Sequence, residues 1–192
     1  LVEFGSRIYG TMHDYMTDPH LPVSTRRFIP WLFSQTATQD AWDILEKSLK
    51  FRSAPIRHGV IKALFRMRKR RSEFQLSDKT IARNTRREIE RYSKLKKTFS
   101  FYRSGKIHLS AEAEERLEYE IDQTFENIFR LLSLNNNIGD IRNAYKAIVG
   151  TNPQLRSDAI EFTENLITWD VRKLLIPVLE TYHTDRLPPN DS

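Results

Sequence analysis

The stretch NPQLRSDAIEF at residues 152–162 decides the fold, because two earlier stretches repeat its pattern. One is APIRHGVIKAL at residues 54–64, and the fainter one is LPVSTRRFI at residues 21–29. Each stretch has a Pro, a short gap, an Arg and then a pair of apolar residues. Pro is favoured in the first turn of a helix, where its missing N–H would have no partner. The three stretches therefore predict helices of one recurring type.

The spacing of these stretches supports a repeat. Pro22 and Pro55 are 33 residues apart, and Arg57 and Arg156 are 99 residues apart, close to three such periods. A fixed period in the thirties is typical of stacked repeat units rather than of one globular core. The chain is therefore expected to form a short array of helical pairs.

The composition excludes several classes of protein. The 192 residues fit one domain or one short repeat array, with 39% hydrophobic and 29% charged residues. Cysteine is absent, so neither a disulfide framework nor a thiolate metal site can form. No apolar run approaches the roughly 20 residues that span a bilayer. We expect a cytoplasmic environment.

Apolar residues at helical spacing predict helices and no strand. In the N-terminal part, residues 5–76, one helix starts at Pro22 and contains Pro30. Pro30 should kink this helix, since it lacks a backbone donor and crowds the preceding turn. The C-terminal part, residues 138–183, predicts three shorter helices, and residues 184–192 are expected to be a disordered tail.

Residues 77–134 interrupt this rhythm. An apolar stripe from Ile81 to Tyr102 predicts a helix of about seven turns. Ser110 is expected to cap a second long helix. Two long helices joined by a short turn should lie antiparallel, so this segment is predicted to be a helical hairpin inserted in the array.

Several segments resemble HEAT repeats. They are PVSTRRFIP (22–30), TQDA (38–41), the helix at 54–68, FENIFRLLSL (125–134), DIRNAY (140–145), RSDAIEFTENLI (156–167) and VRKLLIPVLE (171–180). Together they are similar to the C-terminal HEAT-like region of bacterial proteins that begin with a nucleotide-transporter-like membrane portion of the ATP/ADP-translocase type. Gly59 departs from the pattern, standing where such repeats have a small Ala.

The resemblance implies an armadillo-like α-solenoid that contacts proteins, in a membrane-linked parent protein, and it implies no catalytic residue. We therefore predict an all-α protein of about nine helices. It is a single domain over residues 1–192, in which HEAT-like pairs form a short α-solenoid. The long hairpin at 77–134 separates the N-terminal repeats at 5–76 from the C-terminal repeats at 138–183.

Charge is unevenly distributed along the chain. Residues 1–76 carry 13 Lys/Arg against 7 Asp/Glu, and residues 77–106 carry 10 against 3. Residues 107–192 carry 8 against 15. Such segregation indicates either a surface for a charged partner or two helices whose opposite charges pair with each other.

A basic band is the sharpest candidate binding surface. Its members are Arg66, Arg68, Lys69, Arg70, Arg71, Arg83, Arg86, Arg87, Arg91, Lys94, Lys96 and Lys97. Tyr92, Phe99, Phe101 and Tyr102 interleave with them. Basic grooves with aromatic residues bind nucleic acid, and basic clusters bind anionic lipid headgroups. A solvated or internally paired face is the third interpretation.

No residue pattern indicates catalysis. The five histidines are His13, His20, His58, His108 and His183, and none forms a His-x-x-x-His pair or a close cluster with carboxylates. The adjacent carboxylates Glu114-Glu115 and Glu118-x-Glu120 fit a solvated helix face better than acid–base chemistry. With only six glycines, the chain has no phosphate-binding loop. We expect no enzyme activity, cofactor or bound metal.

The predicted function is a non-enzymatic protein–protein interaction scaffold, the soluble HEAT-like portion of a larger, membrane-linked bacterial protein. The alternative is a HEAT-like protein that binds nucleic acid through its basic surface, with a DNA glycosylase of this fold as an outlier. An anionic membrane surface is a further candidate partner. No small-molecule substrate is inferred.

Overall fold

A computed structural model describes residues 5–182, with side chains from Ile8 onward. In that range the chain forms ten helices and no strand, and nine of the helices have eight residues or more. The predicted all-α class and the number of about nine helices are confirmed. The chain divides into two compact units, one ending at Ser77 and the other starting at Asp78. His183 and the expected tail lie outside the described residues.

The first unit contains five helices: α1 (Gly5–Thr17), α2 (Val23–Arg26), α3 (Ile29–Thr36), α4 (Gln39–Ser48) and α5 (Ala54–Arg70). Helix α3 packs against α4 and α5. Thr38 caps α4, and its hydroxyl accepts a hydrogen bond from the Ala41 N–H at 3.3 Å. The largest fully buried side chains of its core are Met16, Phe33, Trp42, Leu45, Leu49, Ile56, Ile61, Leu64 and Met67.

The prediction of one kinked helix from Pro22 through Pro30 is wrong. Two helices occupy this stretch, and Arg27 and Phe28 form the non-helical connection between them. Pro30 lies in the first turn of α3 rather than inside a longer helix. A first-turn Pro removes no hydrogen bond that the helix would otherwise make, so the second helix can start here without a kink.

Gly59 lies where α5 passes close to the backbone of the α2–α3 connection. A Cβ atom at this position would stand 2.6 Å from the Arg27 carbonyl oxygen and 3.4 Å from Cγ of Pro30. The first distance is too short for any side chain. The close approach therefore explains why this position holds Gly, which has no Cβ atom.

The second unit also contains five helices: α6 (Asp78–Arg103), α7 (Ala111–Leu132), α8 (Ile138–Val149), α9 (Pro153–Leu166) and α10 (Trp169–Thr181). Side-chain caps start three of them. Ser110 accepts from the Ala113 N–H, Asn137 from the N–H groups of Gly139 and Asp140, and Asn152 from those of Gln154 and Leu155. The predicted starts of α7 and α9 are confirmed.

Helices α6 and α7 form an antiparallel hairpin. Near its turn, the Tyr102 hydroxyl donates to a carboxylate oxygen of Glu114 at 2.6 Å. Near its other end, the Asn127 side-chain amide donates to Glu88 at 3.3 Å. The residue numbers of the partners on α7 therefore increase as those on α6 decrease, as the predicted antiparallel pairing requires.

Aromatic rings form the centre of the second unit. The Phe125 ring centroid lies 4.5 Å from that of Tyr182, 5.3 Å from those of Tyr92 and Phe129, and 6.1 Å from that of Tyr145. These rings come from helices α6, α7 and α8 and from the residue after α10. One side chain therefore ties four segments of the unit together.

Only part of the hairpin belongs to this core. Tyr92 is the last buried side chain of α6, and Ile121 is the first of α7. Residues 93–120, called the distal arm here, contain no buried side chain. Each helix contributes about ten residues to it, so the arm is roughly 15 Å long at 1.5 Å per residue. The rest of the hairpin, residues 78–92 and 121–132, is the proximal half.

Candidate functional site

The twelve basic candidates divide between the two compact units. The five at residues 66–71 lie at the end of α5 and directly after it. The other seven, from Arg83 to Lys97, lie on α6. Each group is therefore carried by a different unit.

Two of the five arginines and lysines at the end of α5 bind backbone carbonyls at the end of α3. Arg70 Nη1 donates to the Ser34 carbonyl oxygen at 2.9 Å, and Arg71 Nη1 donates to that of Ala37 at 3.1 Å. Ala37 ends α3 in the left-handed conformation, with φ of 46°. Carbonyls in the last turn of a helix have no partner within it. Arg70 and Arg71 thus stabilise the end of α3.

Arg71 also belongs to a packed cluster. Its Nε donates to Glu73 Oε1 at 2.6 Å, and its guanidinium lies 5.2 Å from the centroid of the Phe74 ring. Phe74 in turn stacks on the buried Trp42 at 5.0 Å. A backbone hydrogen bond, followed by the Arg71 contact, lowers the pKa of Glu73. Lys69, another member of this group, is also exposed.

Two arginines of α6 form ion pairs within the second unit. Arg91 contacts Glu120 of α7 at 2.5 Å, and Arg86 contacts Asp170 of α10. A hydrogen bond from the Thr168 hydroxyl, followed by the charge of Arg86, lowers the pKa of Asp170. These contacts place part of the basic band in pairs that hold helices together.

Other cations of α6 face solvent along one side of the helix. We call them the exposed basic stripe: Lys79, Arg83, Lys94 and Lys97. Their spacing of about whole turns brings them to one side at 3.6 residues per turn, with Glu90 among them. Lys79 was missing from the predicted set, although its spacing of four residues from Arg83 indicates the same face.

Two phenylalanine rings at the end of the distal arm each lie between two cations. Lys97 Nζ and Lys106 Nζ are 5.6 and 5.4 Å from the Phe101 centroid. Lys96 Nζ and Arg103 Cζ are 5.9 and 5.8 Å from the Phe99 centroid. Arg103 and Lys106 were not in the predicted set. The signal for them is that residues 91–111 contain no Asp or Glu.

A buried polar network in the proximal half was also missed. Asn127 joins Glu88 to Arg130, accepting from Arg130 Nη1 at 3.2 Å, and Arg130 also pairs with Glu126. Glu88 and Asn127 are both buried. Glu88 lies seven residues after Ile81 and thus on the same side of α6, so helical spacing indicated an inward-facing carboxylate.

The remaining titratable residues show no converging arrangement in the described range. Within residues 5–182, no group of three or more His, Asp or Glu side chains could hold a metal ion. Glu114 and Glu120, from the adjacent carboxylates noted above, contact Tyr102 and Arg91. The hydrogen bond to Glu114 raises the pKa of Tyr102.

A cavity of about 270 Å³ opens in the second unit, between the start of α6, the end of α7 and the start of α10. Ile81, Thr85, Leu132 and Val171 contribute to its lining, and among the lining residues Asp78 alone is charged. Asn135, Asn136 and Thr168 also line it, so its walls are mixed, and the lining contains no second titratable group to pair with Asp78 for acid–base chemistry.

None of the helices described here is both long enough and apolar enough to cross a membrane. Comparison with protein-family models, with curated proteins and with solved structures gives no significant match. The resemblance to HEAT repeats therefore stays a prediction, resting on the segments quoted above.

Proposed function

We propose that this chain is a non-enzymatic protein–protein interaction scaffold. In this proposal HEAT-like helical pairs stack as a short α-solenoid with the α6–α7 hairpin inserted, and the chain is the soluble portion of a larger, membrane-linked bacterial protein. The short helices α8, α9 and α10, of which α9 contacts both neighbours, support it. A pair of such helices can bury only one of its faces by itself. A stacked layer or a partner would cover the other face.

The observation that carries the proposal is the outer face of α9. The side chains that α9 buries are Ala159 and Thr163, both small. Its large residues Leu155 and Phe162 are 55% and 38% exposed. They are seven residues apart and so lie on one side of the helix. Exposed apolar side chains that share one side of a helix support a protein-binding surface at α9.

A charge introduced into this face should remove partner binding. We expect the double variant Leu155→Glu/Phe162→Glu to lose the proteins that the wild-type chain retains in affinity purification with cross-linking. Ser157→Glu/Asn165→Glu is the matched control, since it adds the same charge at two other exposed positions of α9. Equal recovery of the same partners by all three chains, each folded by circular dichroism, would contradict the proposal.

A second candidate function is nucleic-acid binding, and the exposed basic stripe favours it. Fluorescence anisotropy with duplex and single-stranded DNA, at about 50 and 200 mM salt, tests it directly. For duplex DNA, each lost phosphate contact should make the slope of log K against log salt concentration less steep by about 0.9. We expect Arg83→Gln/Lys94→Gln to show a smaller slope than the wild type. Absence of binding at the lower salt concentration would remove this candidate.

A further inference from the structure

The end of the distal arm has a local excess of positive charge. Residues 91–111 carry six Lys/Arg and no Asp or Glu. Lys94, Lys97, Arg103 and Lys106 are all exposed. The acidic residues of α7 begin at Glu112, on the other helix of the arm. The arm therefore has a basic edge along α6 and its turn, and an acidic edge along α7.

An apolar ring lies within this basic edge. Phe101 is 38% exposed, and the ammonium groups of Lys97 and Lys106 stand within 5.6 Å of its centroid. Lys94, Lys97 and Phe101 follow each other by three and four residues, so they share one side of α6. An aromatic ring surrounded by cations suits the boundary of a bilayer, where rings enter the headgroup layer and cations meet lipid phosphates.

The shape of the arm separates the two anionic partners that such a surface could meet. Proteins that hold single-stranded nucleic acid use a groove that follows the backbone. The distal arm is only two helices thick, has no fully buried side chain and ends in the short connection between α6 and α7, so its end is convex. A fluid lipid surface can accept a convex tip, with the ring entering between headgroups.

We propose that the basic edge of the arm end, centred on Phe101, docks on an anionic lipid surface. The cations supply attraction to acidic headgroups, and the ring supplies a shallow apolar anchor. This role is independent of the proposed scaffold function, because it uses the hairpin end rather than α9. The chain could dock on the lipid surface by the arm and bind a protein partner through α9.

Vesicle sedimentation of the full chain tests the charge part of the proposal. We expect binding to phosphatidylcholine vesicles that contain about 30% phosphatidylserine, and little binding without it. The variant Lys97→Gln/Arg103→Gln/Lys106→Gln should bind on the order of 100-fold more weakly, since each cation near such a surface contributes roughly five-fold.

The matched control for net charge is Lys79→Gln/Arg83→Gln/Arg142→Gln, which removes three exposed cations from other positions of the second unit. We expect it to lose less than about ten-fold, because charges away from the membrane are screened within roughly a Debye length. Equal losses in the two triple variants would overturn the proposal. The proposal would also be overturned if duplex DNA displaced the chain from vesicles and its binding depended equally on Lys97, Arg103 and Lys106.

Insertion of the ring is tested by Phe101→Trp with brominated lipids, which quench a nearby indole. The wild type, with Trp31, Trp42 and Trp169, gives the background. We expect quenching of the added emission on anionic vesicles and none in their absence. Vesicle binding without additional quenching would overturn the docking geometry, because the ring would then lie away from the bilayer.

Discussion

The proximal half and the distal arm of the α6–α7 hairpin have the same apolar periodicity and different structures. In the proximal half, Ile89 and Tyr92 are buried against Phe125 and Ile128. In the distal arm, the same stripe continues through Leu95 and Phe99, which remain only partly buried. Helices α8 and α10 pack against the hairpin, and Tyr145 of α8 and Tyr182 after α10 contact Phe125 of the proximal half. They therefore cover the apolar stripe there. An apolar stripe becomes a core only where a further element covers it.

The largest effect is expected in the proximal half. Phe125→Ala should lower the free energy of unfolding of the second unit by about 3–5 kcal/mol, because it empties the centre of the aromatic cluster. Phe99→Ala is the control in the distal arm, and it should lower the same quantity by less than about 1 kcal/mol. Denaturant unfolding followed by circular dichroism measures both. Similar losses would show that the two halves do not differ.

A smaller effect is expected from the buried polar network. Asn127→Ala removes the amide between Glu88 and Arg130 and leaves both without that partner. The free energy of unfolding should fall by about 1–3 kcal/mol, the range for a buried polar group that loses its hydrogen bond. Gln123→Ala, at a half-buried position of the same helix, should change it by no more than about 0.5 kcal/mol. Equal effects would place the network outside the core.

The smallest effect concerns the distal arm at high pH. The Glu114 carboxylate raises the pKa of Tyr102 by accepting its hydroxyl proton in a hydrogen bond. This bond stabilises the arm fully below the ordinary tyrosine pKa, and the stabilisation is lost as pH rises through the raised value. Amide exchange in the arm should therefore accelerate at alkaline pH more than base catalysis alone requires. Tyr102→Phe should lack the additional step, whereas retention of that step would assign it to another group.

The sequence predicted the features that depend on local chemistry. Thr38 and Ser110 mark helix starts because their side chains accept hydrogen bonds from N–H groups in the next turn. Pro153 marks one because a residue in the first turn needs no N–H donor of its own. The all-α class followed from periodicity alone. Local signals could not show where burial ends on α6, since that boundary depends on helices that come much later in the chain.

The basic band shows the same limit. Arg70 reaches a carbonyl 36 residues earlier in the chain, and Arg71 reaches one 34 residues earlier. A run of basic residues does not reveal such distant acceptors, so capping residues and solvent-facing ones look alike in the sequence. Arg83, Lys94 and Lys97 of the stripe on α6 were in the predicted band, and their common side could have been derived from helical spacing.

The distal arm also determines the distance between the core of the second unit and the turn of the hairpin. Its inner end is fixed by Tyr92 and Ile121, and its outer end is the turn after Arg103. Because residues 93–120 contain no fully buried side chain, the outermost turn of each helix could be removed without loss of a core residue. Leu95, Phe99 and Leu117 pack against the core from within the arm and limit a longer deletion. Each turn alters the separation between core and turn by about 5.4 Å. The outer part of the arm is thus a spacer whose length can change by a whole turn while the buried core keeps its residues.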